Sequence, residues 1–202
     1  AEVLTIFLAT LFGWDVLQPV HLLWINLVTD TFPAIALGVE PAEPGVMTHK
    51  PRGRKSSFFS GGVMSSIIYQ GLLQGALVLG AYALMNPVHV GDMRAIHADA
   101  LTMSFATLGL IQLFHAFNVK SVYQSLLTVG PFKSKTFNWS ILVSFILLAS
   151  TILVEPLEGI FHVTKLDFSQ WAAVLIGSFS MIIIVEIVKF VQRKLGMDKN
   201  AI

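Results

Sequence analysis

Cysteine is absent from the 202 residues. That removes disulfides and every thiolate metal site, and it says nothing firm about compartment. Charge is scarce too: Asp, Glu, Lys and Arg make up 12% of the chain, against about 25% in a soluble domain. The few charges nearly cancel, to a formal net charge of +1. A nucleic-acid partner needs a basic face, and this balance supplies none. A basic leader with a small-residue cleavage pattern is lacking at Ala1-Glu2-Val3. No Met opens the chain, and its first residues read as the middle of an apolar helix, so a piece of a longer protein is expected.

What remains is apolar. Hydrophobic residues make up 54% of the chain and mean hydropathy is +0.73, which belongs to the membrane class. Runs long enough to cross a bilayer, at about 20 residues per span, fall at 19–39, 62–85, 99–118, 139–157 and 169–191. Residues 1–12 read as the outer half of another. The expected fold is all-α: a polytopic transmembrane helix bundle of five full spans plus one truncated span, with 1–202 forming a single transmembrane domain in a lipid bilayer. Gly71, Gly75 and Gly80 suggest close helix packing.

The connections assign a direction. Residues 13–18 carry no Lys or Arg, 86–98 only Arg94, and 155–168 only Lys165. The 40–61 loop holds Lys50, Arg52, Arg54 and Lys55, and 119–138 holds Lys120, Lys133 and Lys135. The tail adds Lys189, Arg193, Lys194 and Lys199. Taken alternately, eleven of thirteen basic residues share one side, which the positive-inside rule makes cytoplasmic, C-terminus included. Trp14, Trp24, Trp139 and Trp171 lie near span ends or in an outer half, as interfacial aromatics often do.

Within the first full span stands Trp24-Ile25-Asn26-Leu27-Val28-Thr29-Asp30-Thr31-Phe32-Pro33. A carboxylate at mid-depth costs about 2.5–3.5 kcal/mol on insertion scales, so its retention points to function. Asn26, Thr29 and Asp30, at i, i+3 and i+4, share one face of an α-helix. Pro33 has no N–H for the carbonyl of Thr29, which suggests an unwound segment of the kind that lines ion sites. Amide, hydroxyl, carboxylate and free carbonyl oxygens are what a hard cation such as calcium takes. Counted at 1.5 Å of rise per residue, Glu2, Asp30 and Gln112 lie roughly 15–20 Å deep in a core about 30 Å thick, so polar groups of three helices reach one level.

Each of these has a plainer reading. Asp30 could be a protonated carboxyl bonded within the bundle or the partner of a buried cation, but no Lys or Arg of this chain falls at mid-depth. Asn26, Thr29 and Gln112 could be helix glue, at about 0.6 kcal/mol per bond. Gln70 and Gln74 read as glue and His115 as a packed or interfacial histidine. Glu186 and Lys189 read as an interfacial pair.

The run from Trp24 to Pro41 (WINLVTDTFPAIALGVEP) resembles the sixth membrane helix of the calcium-pumping P-type ATPases of the sarcoplasmic-reticulum type. Ala1 to Leu11 looks like the second half of their fifth helix, and Met47-Thr-His-Lys-Pro-Arg52 like the loop after the sixth. Glu155-Pro156-Leu157 with Leu166 to Trp171 resembles the link between the ninth and tenth, and Val185 to Phe190 the end of the tenth. The resemblance implies that Asn26 and Asp30 match ligands of the second calcium site, with Asp30 bridging both sites, and that Thr29 and Glu2 match the first. Gln112 stands where those pumps place a glutamate, which leaves one calcium per cycle open. It also implies partners upstream of Ala1: further ligands on the fourth and fifth helices, and the cytoplasmic domains that use ATP and magnesium. The chain alone is then expected to have no ATPase activity.

The sequence therefore supports the cation-binding membrane part of an ATP-driven calcium exporter in a bacterial plasma membrane, with manganese as a variant cargo. Burial disfavours uncompensated carboxylates, so proton counter-transport is expected when the cation leaves. Two alternatives stay open: a secondary cation exchanger, although no second Asn-x-x-Thr-Asp run is present, and a membrane bundle without a transport role.

Overall fold

The computed structural model describes residues 2–40, 63–85, 93–121 and 124–195, and among them every regular element is a helix. The expected basic loop with Lys50, Arg52, Arg54 and Lys55, the 86–92 connection, residue 62 and Lys199 lie outside the described residues. Helix α1 (Glu2–Leu11) ends in a turn where Gly13 takes a φ of 69°. α2 (Pro19–Ile25) opens on a proline, which suits a first turn because no partner awaits its absent N–H. The backbone continues through a π-helical segment, Asn26–Asp30, into α3 (Thr31–Gly38), and the three together form one spanning stretch, Pro19–Gly38. α4 (Val63–Met85), α5 (Met93–Asn118), α7 (Lys135–Leu153) and α9 (Phe168–Lys194) each carry another, so five helical stretches have the length and hydropathy to cross a bilayer.

Two short helices lie in connections read as plain links: α6 (Leu126–Val129) and α8 (Glu155–Phe161). The run at 139–157 is divided between α7 and α8. Ser134 starts α7 early, its hydroxyl accepting from the Phe137 N–H at 3.3 Å. At the other end, a continued helix would drive the Pro156 ring against the Ile152 carbonyl, so the chain turns extended at Val154.

α5 is the interior helix. About three-quarters of its membrane stretch is buried (78%), against 28–33% for the other four, and it packs on α4, α9 and α7. Two of its buried hydroxyls need no outside partner for their protons: Thr102 and Ser104 donate to the carbonyls of Ala98 and Ala100 at 2.8 and 2.9 Å. At the end remote from the basic residues, the Asp99 carboxylate accepts from the Thr164 hydroxyl (2.6 Å) and the Gln170 amide (3.2 Å), tying α5 to the start of α9. At the basic end, Lys189 on α9 is buried and donates to the carbonyls of Asn118 (2.7 Å) and Gln124 (3.4 Å). Glu186 accepts from the Ser125 hydroxyl and the Leu126 N–H. Glu186 and Lys189 are 3.9 Å apart, so this pair also clasps the chain between α5 and α6.

Two outcomes test the packing. A Cβ on Gly109 of α5 would lie 2.6 Å from a methyl of Leu148 on α7, itself 2% exposed. Gly109→Ala should therefore cost about 1–3 kcal/mol, read as a lower melting temperature in detergent and recovered by adding Leu148→Ala. Asp167 caps α9, and the Gln170 N–H and Ser169 hydroxyl hold its carboxyl below the ordinary value of 3.8. A depressed carboxyl stabilises above its unfolded pKa and ceases to do so as pH falls through the folded one. Asp167→Asn should flatten the acid side of the melting-temperature profile below about pH 4.

Candidate cation site

The site helix is α2, the π segment and α3 taken together. In π geometry each N–H reaches the carbonyl five residues back, and such turns concentrate at functional sites. Pro33 can therefore supply neither Thr29, four back, nor Val28, five back. Side chains take part of the load. Ser144 of α7 donates to the Val28 carbonyl at 2.7 Å, Thr31 to the Asn26 carbonyl at 2.8 Å and Thr29 to the Ile25 carbonyl at 3.0 Å. Instead of the expected unwound stretch, the chain keeps a helical turn, widened and propped from a neighbouring helix. Ser144, which lies in a different span, was not marked as a site residue by sequence reasoning. Its only local sign is a hydroxyl in the apolar run of α7.

The wider turn also regroups the side chains. Thr29 is buried and Asp30 half-buried, whereas Asn26 is exposed, so the three do not share one buried face. Thr29 gives its proton to Ile25 and keeps its oxygen lone pairs for a cation. Glu2, in the first turn of α1, is half-buried and lies within electrostatic reach of Asp30. Its Oε1 is buried and lacks a hydrogen-bond partner. Two carboxylates that repel one another, one of them with a buried oxygen that meets no donor, are a poor resting state in low dielectric and a good receptor for a divalent cation. Among the described residues no three of His, Asp and Glu come together. A cation here would be held by carboxylates and neutral oxygens, a donor set that suits calcium.

Gln112 stands on α5. It lines a cavity of about 360 Å³ between α4 and α5 together with Gln70, Gln74, His115 and Asn118. Gln74 Oε1, His115 Nδ1 and Asn118 Oδ1 are buried there without partners. The glutamines read as glue thus face a shared polar space, with Gln112 among them.

The site helix is braced at its far end too. His21 of α2 is fully buried, stacked 4.5 Å from Phe105 of α5, with Nε2 2.6 Å from the Phe161 carbonyl of α8. The Gln18 N–H donates to Nδ1, so Nε2 carries the proton and the ring is a neutral bridge.

Residues 15–191 match the family model described as Cation transporting ATPase, C-terminus. The chain is 38% identical over 204 residues to Calcium-transporting ATPase 1 of Bacillus cereus, covering 95% of this chain and 23% of that protein. Identity to the Calcium-transporting ATPase of Bacillus subtilis is 33% over 178 residues, 86% of this chain and 19% of that protein. To Calcium-transporting ATPase 3, endoplasmic reticulum-type, of Arabidopsis thaliana it is 30% over 220 residues, 97% and 22%. The chain spans less than a quarter of the length of these relatives. Helices long and apolar enough to cross a bilayer, a carboxylate set in a propped π turn and a family match over most of the sequence agree: this chain belongs to the C-terminal region of the cation-transporting ATPases.

Proposed function

We propose that this chain is the cation-binding membrane part of an ATP-driven calcium exporter. The observation that carries the reading is Asp30, set on a π turn within a spanning helix and subject to the electrostatic influence of Glu2, whose buried Oε1 has no hydrogen-bond partner. Calcium is the preferred cargo because the available donors are oxygens and because the relatives are named for calcium transport. Manganese takes the same ligands and is the competing cargo. Glu2, Thr29 and Asp30 are the ligands proposed from this arrangement. Asn26 would join them by turning inward on binding, and Gln112 would act from the neighbouring cavity. The basic end of the bundle faces the cytoplasm of a bacterial cell in this reading, which puts Lys120, Lys189 and the C-terminus there. Protons are the proposed counter-ion: they would replace the cation's charge at Asp30 and Glu2 once it departs. ATP and magnesium would act on domains outside this chain.

In the full pump, Asp30→Asn should abolish calcium-dependent phosphorylation. Tight calcium binding preserved in that variant would remove the reading, and a parent that is phosphorylated with manganese but not calcium would change the cargo. Ser144→Ala leaves the Val28 carbonyl without its donor in a low-dielectric setting. The expected loss is about 1–3 kcal/mol of stability, measured by thermal melting in detergent. Ser144→Thr, which keeps the hydroxyl, should lose less.

A further inference from the structure

Beyond the site itself, the end of α3 is held by an arrangement that the ligand set does not explain. Glu40 lies two residues past α3, and Lys120 lies two residues past α5. Their side chains meet at 2.7 Å, with the Lys120 side chain 2% exposed and that of Glu40 19%. The same ammonium stands 4.1 Å from the ring centre of Phe137, in the first turn of α7. Three helix ends thus converge on one cation.

The sign of the charge matters. The C-terminal end of a helix carries partial negative charge, so a carboxylate just past α3 is repelled by its own helix. Lys120 answers both the Glu40 carboxylate and the C-terminal ends of α3 and α5. Beneath it lies a small apolar cluster, separate from the main core, formed by Ala36, Ala116 and Phe137 with Leu37, Phe117 and Ile141 around them. Phe117 meets Phe137 edge to face at 5.0 Å. Ala36 and Glu40 follow Asp30 by six and ten residues, about 9 and 15 Å along a helix. The clamp therefore fixes the lower half of the site helix on α5 and α7. Adjustment is left to the π turn, where hydrogen bonding is already irregular.

We propose that Lys120 is a positioning residue: through Glu40 and Phe137 it sets the placement of Asp30 relative to the other ligands, without touching the cation. This inference rests on the reading of Asp30 as a cation ligand. The test measures calcium dependence of phosphorylation in the full pump carrying Lys120→Met, Lys120→Arg, Glu40→Gln, or Lys120→Met with Glu40→Gln. Lys120→Met and Glu40→Gln should each raise the half-saturating calcium concentration by about 5- to 10-fold, within the range usual for coupled positions, with the maximal level retained. Lys120→Arg keeps the charge over the ring but brings a larger, planar head group, so it should weaken the response less than Lys120→Met. The double variant should be no worse than either single one.

Parental affinity in Lys120→Met, full additivity in the double variant, or an Arg variant as weak as the Met variant would each overturn the proposal. Should Lys120→Met fail to accumulate in membranes, Glu40→Gln and Lys120→Arg decide on the same affinity criterion. Asp30→Asn in the same assay separates the two ideas. An unaltered calcium response there removes the cation-site reading itself, whereas its loss alongside a silent Lys120→Met removes only the positioning role.

Discussion

A polypeptide inside a hydrocarbon layer has no water to satisfy its backbone, so each carbonyl must find a donor within the protein. That constraint governs the site helix. Pro33 withdraws a donor in the middle of a span, and the fold answers with a π turn and with hydroxyls from Thr29, Thr31 and Ser144. The local disorder that a proline would cause becomes a defined irregularity. A carboxylate placed on such a turn is held by a backbone whose hydrogen bonds already depend on side chains, and it can shift without breaking a regular ladder.

The surrounding helices make that irregularity tolerable. α5 passes through the middle of the bundle, mostly buried, with the Thr102 and Ser104 protons turned onto its own carbonyls. Against it the site helix is braced at three levels. His21 bridges to α8 at one end, Ser144 supports the π turn, and Glu40 meets Lys120 at the other end. Two braces use neutral groups and one uses opposite charges, and the charged one sits at the end where solvent screening and helix ends ease the cost of desolvation.

Spans were legible in the sequence because hydrophobic length is a local property. The same locality explains the errors at their edges. The run at 139–157 hides a break, because Val154 is apolar in either conformation and only the geometry around Pro156 divides α7 from α8. The site was legible in its chemistry and less so in its shape. Asn26, Thr29 and Asp30 share a face at α-helical spacing, but the turn is wider, and Asn26 points away from the buried side. Sequence spacing located the freed carbonyl at Thr29, whereas the one propped across helices is Val28. Its donor, Ser144, is 116 residues further along the chain. Nothing local in the sequence announces a pairing of that separation, and the same holds for Lys120 with Glu40. For Gln112, counting along the span gives a depth but not the neighbours it faces, which are Gln70, Gln74 and His115.

The widened turn also sets the phase of everything after it. A π turn absorbs an extra residue, so rewinding Asn26–Asp30 as ordinary α-helix, with no residue removed, would turn α3 by about 100° relative to α2. Such rewinding would carry Ala36 and Glu40 away from their present neighbours at once. In this stretch the winding of the backbone is as much a functional variable as side-chain identity.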